Sequence, residues 1–320
     1  MNTKNKMLTL LCVGSAATVA TALLNKAIII SATSKNLMLD DTPQNYGWRF
    51  GNIYYTVQGT GKPLLLIHDL TESSSSYEWN KLIGRLKEHF TVYAIDLLGC
   101  GRSEKPNLTY TNYLYVQLIS DFIRDVIGKK TDILVSGASC SIAVMACNNS
   151  PDLFNQLMLI NPDSFKKCMQ IPNPKVKLYK FLLDLPVVGT LMYHIAVSKK
   201  YQKEDFQLKY FFNPYLVKPH DLDVYNESAH RGLYPKALYS SIKGNYTKLK
   251  LNSALGNIDN SIYLVGGSDE ENISDTIFEY RLANPAVEYS VIKSTRHLPH
   301  MEKPEEVMDL INIFFSPSKA

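Results

Sequence analysis

From about Trp48 onward, short apolar runs alternate with longer stretches whose apolar positions recur every three or four residues. Ile53 to Val57, Leu64 to Ile67, Thr91 to Ile95, Asp132 to Val135 and Leu157 to Ile160 are rich in Ile, Val, Leu and Tyr. They close on Gly, Asp, Asn or Pro, which is how strands end. Between them, Tyr77 to Glu88 and Tyr113 to Val126 carry helical spacing. Another helix is predicted after Ser139, where Ile142 to Ala146 continue until Asn148, Asn149 and Pro151 stop it. Strand and helix in alternation predict an α/β fold, a mostly parallel central sheet with helices on both faces.

The alternation breaks after Pro162. Residues 164–255 give no clear strand, several helical stretches and six prolines, so this segment reads as an inserted helical cap. Strand patterns resume at Ile262 to Val265 and Val287 to Ile292, and an amphipathic helix runs from Pro304 to Phe315. The N-terminus differs from all of this. Met7 to Leu24 holds no charged residue, follows Lys4 and Lys6, and would span about 27 Å as a helix rising roughly 1.5 Å per residue. A cleaved signal peptide has a shorter apolar region ending in a small-x-small site, and here Ala20 and Ala22 offer one only inside the run. Cys12 follows Leu10 and Leu11, which does not suit lipoprotein processing. An uncleaved signal anchor is the expectation. Lys26 and Lys35 balance Lys4 and Lys6, so flanking charge sets no orientation. The predicted organisation is therefore an anchor over residues 1–32, a polar linker over 33–46, core over 47–163 and 256–320, and cap over 164–255.

Composition narrows the class. At 45% hydrophobic and 20% charged, the 320 residues suit a large α/β domain with an insertion, neither disordered nor polytopic in a membrane. A net charge of +4 is too mild to imply nucleic acid. It hides an asymmetry, because the cap holds fifteen Lys and Arg against six Asp and Glu. The cap is also rich in Tyr and Phe, and a basic, aromatic cover fits an apolar or amphiphilic small-molecule substrate, or contact with an anionic membrane. Five cysteines without CxxC spacing give no disulfide framework and no structural zinc, and no metal-ligand cluster is present.

Ser139 lies in the run Val135, Ser136, Gly137, Ala138, Ser139, Cys140, Ser141, where a strand meets small residues and then a helix. A serine on such a turn projects its hydroxyl, and the following amide can reach a developing oxyanion. The spacing is GxSxG with Ser141 at the second glycine. His68 and Asp69 follow the strand Leu64 to Ile67; Asp96, Gly99, Gly101 and Ser103 form DxxGxGxS; His297, Pro299, His300, Glu302 and Pro304 form HxPHxExP. In this order, over about Tyr46 to Phe315, these stretches resemble the α/β-hydrolase superfamily, in its serine hydrolase type with a helical cap.

The resemblance implies a nucleophile, acid and base in the order Ser, acid, His, and no cofactor. Ser139 would attack, His297 would take its proton, and an acid would orient the imidazole. Asp269, after Gly266, Gly267 and Ser268, is the preferred acid; Glu270 and Glu271 are immediate rivals, and Asp163 is the alternative. The amides of Leu70 and Cys140 would hold the oxyanion. Asp69 departs from the glycine usual after this histidine, and its carboxylate would repel an oxyanion unless turned away or paired. Leu70 lacks the side-chain amide of halide-binding relatives and the nucleophile is serine, which disfavours dehalogenase and epoxide hydrolase chemistry. The expected activity is cleavage of an ester, thioester or related acyl bond by a membrane-anchored enzyme. A binding or sensory protein with little turnover, and a C–C hydrolase using the same triad, are the other readings.

Overall fold

A computed structural model describes residues 3–40 and 43–315. The extreme ends of the expected anchor and of the second core segment, and linker positions 41 and 42, lie outside the described residues. The chain opens with helix α1 (Thr3–Thr33), then builds an eight-stranded sheet in the order β1-β2-β4-β3-β5-β6-β7-β8. Strands β1 (Gln44–Trp48) and β2 (Gly51–Gln58) are an antiparallel hairpin at one edge. β2 pairs antiparallel with β4 (Phe90–Ile95), and from there β3 (Lys62–Ile67), β5 (Thr131–Ser136), β6 (Phe154–Ile160), β7 (Ile262–Gly267) and β8 (Glu288–Ile292) run parallel. The central strands are buried on both faces, which is why Leu64 to Ile67 and Ile133 to Val135 read as unbroken apolar runs.

One face packs under α3 (Asn112–Phe122) and α4 (Ser139–Asn149), around Tyr115, Phe122 and Ile142. The other packs under the short α2 (Ile83–Leu86) and α14 (Pro304–Phe314), around Trp79, Leu86, Val307 and Ile311. The stretch Tyr77 to Glu88, expected as one helix, is a 3₁₀ turn at Ser76–Trp79 followed by α2. Its backbone answers to other partners: Asp96 accepts from Ser76 N at 2.7 Å, and the Glu78 carboxylate turns into the interior. Gln44–Trp48, partly inside the expected linker, pairs as the edge strand β1. The DxxGxGxS turn closes on itself. Asp96 accepts from Arg102 N at 2.8 Å and Nε at 2.9 Å, Gly99 and Gly101 take positive φ, and Ser103 Oγ accepts from Tyr54 N at 2.8 Å.

Between β6 and β7 lie seven helices and no strand: α5 (Phe165–Cys168), α6 (Pro174–Asp184), α7 (Val188–Ala196), α8 (Lys199–Asp205), α9 (Pro219–His230), α10 (Lys236–Lys243) and α11 (Asn252–Gly256). A π turn at Phe206–Tyr210 extends α8 toward the sheet. α12 (Ile273–Ala283) follows β7, and α13 (Pro299–Glu302) precedes α14.

The Gly14–Thr33 part of α1, mean hydropathy 1.4 and mostly exposed, is long and apolar enough to cross a membrane, as an anchor or a signal sequence is. Its C-terminal end is fastened to the cap. Asn25 Nδ2 donates to Val187 O at 2.9 Å, and the fully buried Glu227 accepts from Leu37 N at 2.7 Å and Met38 N at 3.4 Å while pairing with Arg231 at 2.7 Å.

Candidate active site

Three loops at the C-terminal ends of the parallel strands bring the chemistry together, where open α/β sheets place their ligands. The loop after β8 carries His297. Its position is set from below, because Asn161 Nδ2, on a left-handed residue after β6, donates to Arg296 O at 2.7 Å and His297 O at 2.9 Å. His297 Nδ1 lies 3.0 Å from Glu270 Oε1 on the loop after β7, and Nε2 lies 3.3 Å from Asp69 Oδ2 on the loop after β3. Tyr210 of the cap covers the imidazole, with ring centroids 5.4 Å apart, and its carbonyl accepts from Leu298 N at 3.2 Å.

The turn from β5 into α4 places its corner two residues before Ser139. β5 extends through Ser136, paired with Ile160, and the chain reverses at Gly137 with φ +57°. Only glycine takes this conformation freely, and a Cβ here would collide with Asp69 Oδ1. Ser139 is therefore the first residue of α4, fully buried, its Oγ donating to His68 O at 2.7 Å. The structure brings no hydrogen bond between Ser139 and His297. Cys140 N donates to Gly137 O at 3.2 Å, so this expected oxyanion donor is engaged in the turn. Leu70 is buried in the loop after β3.

What stands at the corner is Asp69. Its Oδ1 accepts from Ala138 N at 2.7 Å, and its Oδ2 faces His297. The Asp69 amide donates to Glu78 Oε2 at 3.1 Å, and Glu78 also accepts from Ser136 Oγ and lies 3.1 Å from His300 Nε2. Glu78 thus braces β3, β5 and α13 beneath the site. Burial alone would raise the Asp69 carboxyl, but the hydrogen bond and charge of His297, with the Ala138 amide, outweigh it and hold it at about 2. Burial would lower His297, yet Asp69 and Glu270 raise it to about 10. The resting site is an ion pair with carboxylates on both ring nitrogens.

Of the expected acids, Glu270 meets the imidazole. Asp269 is exposed and accepts from Ser268 Oγ at 2.6 Å. Asp163 is buried between Lys167 at 2.6 Å and Lys248 at 2.7 Å. Asp69 stood out in the sequence only as a departure from glycine, and Glu78 has no motif at all.

A sequence model of the alpha/beta hydrolase family matches residues 64–310, a span running from β3 into α14 and containing every residue of this site. The chain belongs to the alpha/beta hydrolase family. An uncharacterized protein of Mycobacterium tuberculosis is 28% identical over 117 residues, 37% of this chain; the chain spans only 34% of that protein's length. A soluble epoxide hydrolase of Corynebacterium sp. is 24% identical over 275 residues, covering 83% of this chain and 94% of that one. Among solved structures, the epoxide hydrolase CorEH superposes with a TM-score of 0.69 at 22% identity, over 86% of this chain and 99% of that one. Carboxylesterase CesB of Bacillus subtilis superposes at 0.68 and 17% identity, over 93% and 99%. At these identities the superpositions establish the fold.

Proposed function

We propose that this alpha/beta hydrolase cleaves a carbon–oxygen bond, in an epoxide or an ester of an apolar or amphiphilic molecule, with the Asp69 carboxylate as nucleophile. The observation that carries this is Asp69 itself: one oxygen on the corner amide of Ala138, the other on the His297 imidazole, at a corner whose own residue is glycine. A carboxylate held in this way can form a covalent intermediate, an ester with an epoxide carbon or a mixed anhydride with the acyl carbon of an ester. Asp69 Oδ2 attacks the electrophilic carbon, the carbon–oxygen bond breaks, and the His297 Nε2 proton goes to the leaving oxygen. Once covalently bonded, Asp69 no longer bears the charge that held that proton, so the imidazole stays neutral and can act as a base. It takes a proton from water, whose oxygen attacks the Asp69 carbonyl carbon, and the oxyanion forms on Oδ1 beside the Ala138 N–H. Collapse expels the product oxygen, which leaves with the water's second proton and restores the ion pair. Glu270 holds the ring and balances its charge throughout. The soluble epoxide hydrolase relative, aligned along most of both chains, supports a substrate of this class. The length and exposure of α1 support an enzyme anchored in a membrane.

The serine mechanism implied by the motifs differs in one respect that can be measured. It needs Ser139 Oγ to leave His68 O, Asp69 to leave the ring, and the acyl group to rest on serine. A single turnover in heavy-oxygen water, followed by peptide mass analysis, separates the two. The expected result is heavy oxygen in the Asp69 carboxylate; an unlabelled Asp69 with a fluorophosphonate adduct on Ser139 would establish the serine route instead.

A further inference from the structure

Helix α6 of the cap is apolar on two opposite sides. Inward, Leu183 is fully buried, and the helix packs against α7 and α10. Outward, Leu178 and Phe181 are 60% and 61% exposed, with Leu182 beside them and the half-buried Leu185 just past the helix end. Their spacing puts all four on one stripe of the helix. Such a stripe, on a helix already packed from behind, does nothing to hold the cap together, and exposed apolar patches mark contact surfaces. Lys175 and Lys177 flank it, and the one acidic residue of α6, Asp184, is paired with Lys180 at 2.5 Å.

The level of this face along α1 says what covers it. The chain turns from α6 into α7 over residues 185–187, and at that corner Asn25 Nδ2 of α1 donates to Val187 O at 2.9 Å. Asn25 directly follows the charge-free run Met7 to Leu24, in which Val19 and Leu23 stand 59% and 64% exposed. A helix rises only about 1.5 Å per residue, so a bilayer that holds this run has its surface at the α6–α7 corner. Leu233, 85% exposed, belongs to the same level, because it lines one cleft with Ile29 of α1 and with Pro186 and Val187 of the corner. Lys26 of α1 is exposed at this boundary, where a long cationic side chain reaches lipid phosphates. α6 and the helices from Val188 to Tyr210 are together apolar enough to enter a membrane but meet at 107°, so they cannot cross it as one rod. The cap's fifteen Lys and Arg against six Asp and Glu suit lipid phosphates, and would set like charges against each other if a second copy covered the face.

We infer that the α6–α7 corner of the cap is a second membrane contact, with Leu178, Phe181, Leu182 and Leu233 in the interfacial layer of the bilayer and Lys175 and Lys177 on lipid phosphates. The contact rests on the reading of α1 as an anchor and is independent of the chemistry at Asp69. The test is tryptophan quenching in the full chain, reconstituted in vesicles of phosphatidylcholine with a minority of phosphatidylglycerol, the former brominated near the top of its acyl chains. Three variants at exposed apolar positions report separately: Val19→Trp on α1, Phe181→Trp on α6 and Ile313→Trp on α14. Measured over the parent protein, whose Trp48 and Trp79 are buried, Phe181→Trp should lose at least about half its emission, because an apolar face seated in the interface lies roughly 5–10 Å into the headgroup and acyl boundary. Ile313→Trp should lose next to none. Leu178→Glu, added to Phe181→Trp, puts a carboxylate in the stripe and should cut the quenching at least about twofold, while thermal unfolding stays at the temperature of Phe181→Trp alone. Quenching of Val19→Trp, with Phe181→Trp quenched no more than Ile313→Trp, would overturn the cap contact and leave the anchor standing. Quenching of neither Val19→Trp nor Phe181→Trp would overturn both, and quenching undiminished by Leu178→Glu would overturn the seating of the stripe.

Discussion

Asp69 and His297 carry opposite charges in the folded chain, and each owes its state to the other. With Asp69 at about 2, below its ordinary 3.8, its contribution to stability is complete above pH 3.8 and is lost as pH falls through 2. With His297 at about 10, above its ordinary 6.5, its contribution is complete below pH 6.5 and is lost as pH rises through 10. The pair thus stabilises most between these limits. Asp69→Asn should lower the His297 pKa in an NMR titration, and its stability deficit should shrink above pH 10. With Asp69 as the proposed nucleophile, it should also reduce turnover by at least about a thousandfold. Glu270→Gln should lower kcat with little change in KM, because in the proposed mechanism Glu270 holds the reacting imidazole; Asp269→Asn, exposed and off the ring, should leave both near wild type. The loop position of His297 was legible because its motif is dense, and Glu270, which meets its ring, was an immediate rival of the preferred acid. The geometry that singles out Glu270 is invisible in a run of three acidic residues, since only the path of the loop after β7 decides which one points at the ring.

At the scale of elements, the β5–α4 turn governs the site. The GxSxG spacing puts the corner at Ser139, but the pairing of Ser136 with Ile160 carries β5 to the residue before Gly137, and the left-handed corner falls there. Spacing alone does not say where a strand stops; the neighbouring strand does. Gly137→Ala should destabilise the fold by about 1–3 kcal/mol in denaturant unfolding, through strained backbone and the displaced Asp69. Combined with Asp69→Gly, Gly137→Ser should supply a corner hydroxyl where the parent has none, and the double variant should gain fluorophosphonate labelling at position 137. The apolar strands were legible from composition because both their faces are covered. The edge strand β1, Gln44–Trp48, was not, since a half-exposed polar strand lacks that signal. The expected helix Tyr113 to Val126 is present as α3 followed by a π turn at Ile123–Ile127, closed by Gly128 at φ +67°.

Across the whole molecule, the cap and α1 form one packed unit above the sheet, with Tyr210 closing over His297. The run of helices between β6 and β7 and the apolar character of α1 were both legible as composition. Their mutual docking was not, because it rests on Glu227 gripping two backbone amides nearly two hundred residues away in sequence. Glu227→Gln keeps the shape and removes the charge, leaving Arg231 without its buried partner, and should destabilise the protein by about 3–5 kcal/mol in thermal or denaturant unfolding. The full chain should stay in the membrane pellet after alkaline carbonate extraction; release into the supernatant would exclude a spanning α1.

With α1 as the proposed membrane anchor, the grip of Glu227 on Leu37 and Met38 bears on how the enzyme could leave the membrane. A tether joined by slack chain can be clipped, and the catalytic body sheds intact. Here the segment just after α1 is structural, so a protease cutting beyond Met38 would strip a carboxylate of its backbone donors and bare the cap face under the C-terminal half of α1. Shedding would damage the enzyme it released.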